Sequence, residues 1–266
     1  MTQVEQLLKN LDQLPEEHKQ AIGAALLKYN TLNNQEKAKK EFLPFVRHCW
    51  PIFMEGPHHR IMAEKFEAVS RGELKRLIIN IAPRHGKSEL TSWLLPAWLL
   101  GQDPSRKIIS ATHTTEFSQR FGRKVRNLID TDTYRDVFPE VSLRADSKAA
   151  GRWDVSGGGE YFAIGVGGAM TGRGADLLVI DDPHTESAGI NPTLEYFESV
   201  YEWYSSGPRQ RLQPGGAIVI VMTRWSQLDL TAKILETTSQ REGSDQWEVI
   251  ELPAVYENGE PLWPEF

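Results

Sequence analysis

The chain has 266 residues, of which 40% are hydrophobic and 25% charged, a balance that excludes an intrinsically disordered protein. Its 30 Lys and Arg residues and 36 Asp and Glu residues give a net charge of -6, which excludes a generally basic, histone-like DNA-binding protein. The single cysteine, Cys49, excludes an internal disulfide framework and suits a reducing compartment. Since the sequence has no run of about 18 apolar residues and no signal peptide, we expect a soluble intracellular protein.

The first 40 residues are polar and helix-prone. Leucines recur there at helical spacing, at Leu7, Leu8, Leu11 and Leu14. Pro15, followed by Glu16 and Glu17, is typical of the start of a second helix. We predict two amphipathic helices that form an appendage over residues 1–44, and packing against the main domain is the simplest role for them.

From residue 76 onwards, short apolar runs of β-forming residues alternate with helical patterns. The predicted strands are 76–82, 107–112, 161–167, 177–181 and 217–223. Helices are predicted over 87–100, where Pro96 should kink or end the helix, and over 114–129. Buried strands that alternate with helices predict an α/β fold with a parallel sheet. We assign the main domain to 45–255 and a linker, or the start of a further domain, to 256–266.

The strongest motif is NIAPRHGKSEL, residues 80–90, which lies between a predicted strand and a predicted helix, as a phosphate-binding P-loop does. Backbone N–H groups around Gly86 and Lys87 would surround phosphates, the Lys87 ammonium would reach the β- and γ-phosphates, and the Ser88 hydroxyl would bind Mg²⁺. The standard pattern has a glycine where this chain has Ile81, so the loop is a variant. The alternative is a chance Gly-Lys-Ser at a helix start.

A second motif, LLVIDD at 177–182, is a predicted strand that ends in two carboxylates. The end of a parallel strand lies at the sheet edge that carries the P-loop. There Asp181 suits Mg²⁺ coordination, and Asp182 suits orienting and deprotonating the attacking water. The alternative is a polar turn before Pro183. The two motifs together predict nucleotide hydrolysis.

The Arg-His-Gly-Lys-Ser loop, TGRGADLLVIDD (171–182) and VMTRW (221–225) together resemble the large terminase subunit, the DNA-packaging motor of tailed bacteriophages. The resemblance runs from about Phe45 to the C-terminus. It implies an additional-strand (ASCE-type) P-loop ATPase, with the 217–223 strand inserted between the P-loop strand and the LLVID strand. It also implies Mg²⁺-dependent ATP hydrolysis that pumps double-stranded DNA into a preformed capsid.

The same resemblance implies partners and a location. Large terminase subunits form rings, usually of five, on the portal protein, and a small terminase subunit delivers the DNA. We therefore expect a monomer in isolation, a ring when assembled, a location in the cytoplasm of the infected host rather than in the mature virion, and no membrane contact. Such proteins generally carry a second, nuclease domain. The sequence after Thr223 is too short to build one, so we expect no nuclease activity in this chain.

Several residues match family positions. The segment GPHHRIMAEKF (56–66) resembles the adenine-recognition segment, with His59 where the family often has Gln; alternatively, His58 and His59 only cap a helix that begins near Arg60. Thr223 matches the coupling motif, whose hydroxyl would lie near the γ-phosphate. The predicted nucleotide-binding residues are Arg84, His85, Gly86, Lys87, Ser88, Glu89 and His59.

The family usually has Asp-Glu where this chain has Asp181 and Asp182. The shorter Asp182 would draw the water closer to the strand end, or the base would be another residue.

Two arginines are candidates for stabilising the transition state. Arg84 lies in the P-loop, and Arg173 is flanked by Gly172 and Gly174, which suggests an exposed loop. We predict that Arg173 enters the site of a neighbouring subunit in the ring while Arg84 acts in its own site. The alternative for Arg173 is a salt bridge to Asp176.

The predicted helix 114–129 has one apolar stripe and a cluster of cations on its other faces. The cations, which we predict to bind DNA phosphates, are Arg120, Arg123, Lys124 and Arg126. The alternative is an ordinary solvated helix surface. Two competing functions remain for the chain: a helicase-like nucleic-acid translocase, and a nucleotide-binding assembly module with low turnover.

Overall fold

A computed structural model describes residues 15–170, 172–191, 193–240 and 243–265, apart from the side chains of residues 147 and 148. Within these residues the chain forms one eight-stranded sheet. The strands are β1 (Arg76–Ile81), β2 (Lys107–Thr112), β3 (Leu143–Ala149), β4 (Arg152–Val155), β5 (Glu160–Gly165), β6 (Ala175–Asp181), β7 (Leu212–Met222) and β8 (Glu248–Leu252). Their order across the sheet is β3-β4-β5-β2-β6-β7-β1-β8.

The six strands from β5 to β8 in this order pair in parallel, and β3 and β4 add an antiparallel edge. The predicted α/β class is therefore confirmed. The prediction that the 217–223 strand separates the P-loop strand from the LLVID strand is also confirmed, because β7 lies between β1 and β6. The strands β3, β4 and β8 were not predicted.

Alternate residues of each central strand face opposite sides of the sheet, and both sides are covered. In β1, Leu77 and Ile79 pack with Phe66 and Trp98 on one side, whereas Ile78 packs in the core on the other side. Burial on both faces explains why these strands are continuous apolar runs in the sequence. Parallel strands covered in this way end together at one edge of the sheet.

The helices that cover the sheet are α1 (Glu16–Lys40), α2 (Phe42–Cys49), α3 (Pro57–Ser70), α4 (Leu95–Gln102), α5 (Thr115–Ile129), α6 (Asp132–Val137), α7 (Glu186–Ile190), α8 (Leu194–Ser206) and α9 (Leu230–Ser239), with a 3₁₀ turn at Pro208–Arg211. Before α4, residues Glu89–Leu94 form a π-helical turn. Pro96 lies in the first turn of α4, so the predicted disruption occurs just before the proline, where its missing N–H is tolerated.

The predicted second helix of the N-terminal region is confirmed as α1, which begins after Pro15, but its predicted amphipathic character is wrong, because its residues other than Ala38 are exposed or half-buried on every side. Leu7, Leu8, Leu11 and Leu14 lie outside the described residues. Among the described residues of α1, Ala38 alone is fully buried, and its carbonyl accepts a hydrogen bond from Trp98 Nε1 at 3.0 Å. Packing of α1 against the main domain is thus concentrated in its last turn, and Leu27 and Tyr29 are exposed.

The predicted domain boundary at residues 44 and 45 falls inside α2. Phe42 and Phe45, one on each side of that boundary, are both fully buried in the main core. The division into an appendage and an ATPase domain remains a prediction. Within the described ranges, no helix is long and apolar enough to cross a membrane.

Candidate nucleotide-binding site

The loop between β1 and the π-helical turn has the backbone of a tight phosphate loop. Gly86 has φ of 74°, in the left-handed region that glycine adopts without steric cost. Arg84, with φ of 65°, adopts the same region, although a side chain there costs about 1 kcal/mol. Lys87 is 7% exposed, and the Arg84 side chain is exposed. The loop therefore presents a buried cation and an exposed arginine on a constrained backbone.

Lys87 and Asp182 form an ion pair, with Lys87 Nζ 2.8 Å from Asp182 Oδ2. Asp182 also has a left-handed backbone, with φ of 43°, and its N–H donates to the Val221 carbonyl at 2.9 Å. This backbone turns the Asp182 side chain towards the loop at the end of β6. The structure thus brings the predicted P-loop lysine and the predicted base into direct contact.

Asp181 is fully buried beneath the loop and accepts two hydrogen bonds. Ser88 Oγ donates to its Oδ1 at 3.1 Å, and Ser92 Oγ donates to its Oδ2 at 2.8 Å. Burial, and then the nearby charge of Asp182, raise the pKa of Asp181 to about 7. Sequence reasoning predicted Ser88 and Asp181 but missed Ser92. The available signal was its position four residues after Ser88, on the same face of a helix.

Thr223 contacts the base through its backbone. Its N–H donates to Asp182 Oδ1 at 2.8 Å, while its hydroxyl lies 3.4 Å from the Ile81 carbonyl, at the start of the loop. Thr223 therefore joins the ends of β7, β1 and β6. The structure thus places Thr223 beside the loop through an amide contact that was not predicted, and the role of its hydroxyl near the γ-phosphate stays a prediction.

A cavity of about 360 Å³ lies beside the loop at the ends of β7, β1 and β8. Arg224, which lines it, pairs with Asp229 (Nε to Oδ2, 2.7 Å) and Glu251 (Nη1 to Oε1, 3.6 Å). Glu251 in turn accepts from Asn80 Nδ2 at 2.7 Å. The arginine of the VMTRW motif, Arg224, is thus fixed by two carboxylates next to Thr223. The sequence alone gave Arg224 no role.

His59 supports the loop from α3. Its Nδ1 accepts from Gly56 N–H at 2.8 Å, and its Nε2 lies 3.1 Å from the His85 carbonyl oxygen. Both ring nitrogens are thus engaged within the protein, and His59 caps α3 at Gly56, although the helix begins at Pro57 rather than near Arg60. Recognition of adenine by His59 stays a prediction. The His85 ring lies against the same loop, with Nδ1 2.8 Å from the Pro83 carbonyl oxygen.

Two residues predicted for different sites pair with each other. Lys124 Nζ lies 3.3 Å from Glu89 Oε1 and 3.9 Å from the centroid of the Trp93 ring. Lys124 is therefore directed towards the π-helical turn, in contrast to its predicted role on a DNA-binding surface. On the same helix, Arg120 and Arg123 are exposed and Arg126 is half-buried.

Arg173 is not an exposed arginine, and that expectation was wrong. Its guanidinium lies 4.3 Å from the centroid of the Phe162 ring and 3.6 Å from Glu160 Oε2, and its side chain is 20% exposed. Asp176, the alternative partner, instead accepts from Lys107 N–H. Arg173 precedes β6, so it lies at the opposite end of a seven-residue strand from Asp181, about 20 Å away. The glycines beside it do not expose it, because β5 supplies its partners.

Buried histidines make the stability of the protein sensitive to acid. Burial lowers the pKa of His58, His59 and His184 to about 4 from an ordinary value of 6.5. Between these values the unfolded chain binds protons that the folded chain excludes, so stability falls as the pH drops from 6.5 to 4. Asp181, with its raised pKa, binds a proton in the folded state and offsets part of this loss.

We expect the free energy of unfolding to fall by ~3 kcal/mol from pH 7 to pH 5, measured by urea denaturation. In the His184→Gln variant the fall should be smaller by about 2 kcal/mol, more than half of the net value, because each of the three rings contributes about that much and Asp181 offsets part of their sum. Equal stability of the parent protein at the two pH values would contradict the neutral, buried state of these rings.

The fold agrees with that of known proteins. No family model matches the chain. It is 22% identical over 147 residues to the terminase large subunit of Enterobacteria phage T3, an alignment that covers 54% of this chain and 25% of that protein. The fold is similar to the HK97 bacteriophage large terminase, with a TM-score of 0.52 and 15% identity over 84% of this chain and 44% of that one. The large terminase of a thermophilic bacteriophage, in complex with ATP-gamma-S, is similar with a TM-score of 0.42 and 11% identity, over 74% of this chain and 45% of that one.

The matched region spans less than half the length of each of these relatives. The sequence match includes only part of the chain, whereas the fold match to the HK97 protein includes most of it. Both point to the family that the P-loop, LLVIDD and VMTRW motifs predicted. The resemblance of this chain to phage large terminase subunits is thereby confirmed.

Proposed function

We propose that this chain is the ATP-hydrolysing motor domain of a viral terminase large subunit and drives double-stranded DNA into a procapsid. The observation that carries the proposal is the convergence of Lys87, Ser88, Asp181 and Asp182 within hydrogen-bonding distance at one sheet edge. A cation, a hydroxyl and two carboxylates in this arrangement provide what phosphoryl transfer to water requires.

Each residue has a defined task in hydrolysis. The loop N–H groups and Lys87 bind the phosphates, so Lys87 exchanges its contact with Asp182 for one with the nucleotide. The released Asp182 carboxylate orients the attacking water and accepts its proton. Arg84, exposed on the same loop, stabilises charge on the transferred group. Arg173 is not retained in the proposed catalytic set.

Ser88 and Asp181 fit a magnesium ion, because hard divalent cations prefer oxygen ligands and these two oxygens lie 3.1 Å apart. Mg²⁺ bound by these residues supplies neutralisation of phosphate charge. Ser92 holds the second Asp181 oxygen, so the first stays directed towards Ser88.

The proposal is tested by phosphate release from ATP by the purified chain, with and without double-stranded DNA and with EDTA as the control. We expect Mg²⁺-dependent release that DNA stimulates. ATP binding without phosphate release would favour the nucleotide-binding assembly module. The position of Asp182 beside Lys87 argues against that alternative. Unwinding of a DNA duplex would favour the helicase-like translocase.

The assembled context is part of the same proposal. We propose a ring, of five subunits by analogy with the family, that docks transiently on the portal protein in the cytoplasm of the infected host. A small terminase subunit would deliver the DNA. The ring is tested by sedimentation of the chain alone and with portal protein, where a particle larger than the monomer is expected in the mixture only.

Thr223→Val should separate binding from turnover. Valine keeps the backbone N–H that donates to Asp182 and removes the hydroxyl contact to the Ile81 carbonyl. We therefore expect ATP affinity within about twofold of the parent and turnover lower by about tenfold, since a change of one hydrogen bond corresponds to that factor. Measured affinity and phosphate-release rates check this, and unchanged turnover would remove Thr223 from the coupling role.

Arg120 and Arg123 are the exposed members of the predicted DNA-binding set. If both bind phosphates, the Arg120→Gln/Arg123→Gln variant should lose about two units from the slope of log affinity for DNA against log salt concentration. Arg47→Gln, which removes an exposed arginine on α2, is the matched control. An unchanged salt slope would exclude α5 from the DNA-binding surface.

A further inference from the structure

Two neighbouring imidazoles at the start of α3 contact one carbonyl of the phosphate loop. His58 and His59 are 0% and 1% exposed, and the Nε2 atom of each lies 3.1 Å from the His85 carbonyl oxygen. A carbonyl oxygen only accepts hydrogen bonds, so both Nε2 atoms carry the proton and donate. The His85 carbonyl is thus held by two donors on one side of the loop.

His59 is fixed at its other nitrogen as well. Gly56 N–H donates to His59 Nδ1 at 2.8 Å, so the ring bridges the segment before α3 and the phosphate loop. The same ring leaves no space beside Gly86, because a Cβ there would lie 2.8 Å from His59 Nε2. The same contacts therefore fix the position and tautomer of the His59 ring and the backbone of the loop at Gly86.

Because the peptide between His85 and Gly86 is planar, fixing the His85 carbonyl also fixes the direction of the Gly86 N–H. In a trans peptide the C=O and the N–H point in opposite directions. Because the His85 carbonyl is directed at the imidazoles of α3, the Gly86 N–H of the same peptide is directed away from them. A loop N–H that is directed away from its supporting helix can serve as a donor to phosphate.

We propose that His59, assisted by His58, is a positioning residue that sets the His85–Gly86 peptide so that its N–H donates to the nucleotide phosphates. The proposal rests on the proposed nucleotide-binding function. It assigns His59 to the phosphates rather than to the base. In this chain, the residue at the adenine-recognition position of the family therefore orients the phosphate loop.

Aromatic rings enclose the imidazole pair. The Trp263 ring centroid lies 5.2 Å from that of His58 and 5.4 Å from that of His59, and Phe53 lies 4.8 Å from His59. These contacts limit the access of water to the two donors, so water does not compete for the His85 carbonyl. The C-terminal segment that carries Trp263 thereby contributes to the same support.

The first test uses inorganic tripolyphosphate, ATP and GTP as ligands of the parent and of His59→Ala. A positioning role predicts that tripolyphosphate and ATP affinities fall by the same factor, about tenfold, and that the ratio of ATP to GTP affinity is unchanged. Loss of ATP affinity with unchanged tripolyphosphate affinity would overturn the proposal, because it would identify a base-reading residue. His18→Ala, on the exposed part of α1, is the matched control.

Two conservative variants separate the two nitrogens of His59. Glutamine places an N–H near the position of Nε2 and should restore tripolyphosphate affinity to within about twofold of the parent. Asparagine places an oxygen near the position of Nδ1, keeps only the Gly56 contact and should resemble His59→Ala. Equal behaviour of the two variants would contradict the role of the His85 contact. Circular dichroism and urea denaturation establish that each variant is folded.

A second measurement does not depend on nucleotide binding. Long-range ¹H–¹⁵N NMR spectra of the parent at pH 7 should show both His58 and His59 as neutral rings protonated at Nε2. Protonation of either ring at Nδ1 would overturn the anchoring. If the spectra agree but the parent binds neither ATP nor tripolyphosphate, the proposed function fails while the anchor stands.

Discussion

Asp182→Asn is expected to bind ATP at least as tightly as the parent protein, because the ion pair that competes for Lys87 is lost, and to hydrolyse it about 10²–10⁴-fold more slowly. Asparagine cannot accept the proton of the attacking water and loses the ion pair with Lys87, but it can keep the contact with Thr223 that positions residue 182. Its amide oxygen can accept the Thr223 N–H as Asp182 Oδ1 does. It also tolerates the left-handed backbone at φ of 43° better than most residues do.

These two properties make asparagine a cleaner replacement than alanine at residue 182. Alanine would remove the base, release Thr223 and strain the backbone at once, so its effect on turnover could not be assigned. Phosphate release and binding of a fluorescent ATP analogue, measured on the same preparation, separate the two steps. Turnover of the asparagine variant at the parent rate would show that another residue is the base.

Lys87→Ala is expected to abolish detectable turnover, with a loss of at least about 10²–10³-fold. The ammonium is the buried cation of the loop, and its side chain is 9% exposed, so solvent does not replace its charge. Its removal also leaves the Asp182 carboxylate without its partner at 2.8 Å, and a second negative charge then opposes the incoming phosphates. Binding of ATP should therefore weaken together with turnover, in contrast to Asp182→Asn.

The matched control for this variant is Lys75→Ala, which removes an exposed lysine just before β1. It should retain the phosphate-release rate and the ATP affinity of the parent. Residual activity of Lys87→Ala within about tenfold of the parent would contradict the assignment of the loop.

The sequence was most informative where local pattern and tertiary role coincide. The strands β1, β6 and β7 are apolar because both faces are buried, so their runs were predicted, and the residues at their ends were predicted with them. β8 was missed because Glu248 and Glu251 interrupt its apolar pattern and the strand is only half-buried.

The site residues that were missed or misassigned depend on contacts between distant segments. Ser92 belongs to the site because its hydroxyl donates to Asp181, which lies 89 positions away in the sequence. Arg173 has partners, Glu160 and Phe162, in another strand, and the adjacent glycines gave no sign of them. His59 occupies a family position that implied base recognition, yet its two nitrogens are engaged by Gly56 and His85, which no spacing rule reveals.

The ion pair between Lys87 and Asp182 has a kinetic consequence. Any phosphate that enters the loop has to displace a carboxylate already 2.8 Å from the ammonium, so Asp182 acts as an intramolecular competitor of the ligand. Competition of this kind lowers the apparent affinity for ATP and for ADP by a common factor. For the proposed motor, which has to discard ADP before each new step on DNA, it slows the rebinding of released product and favours turnover over tight binding.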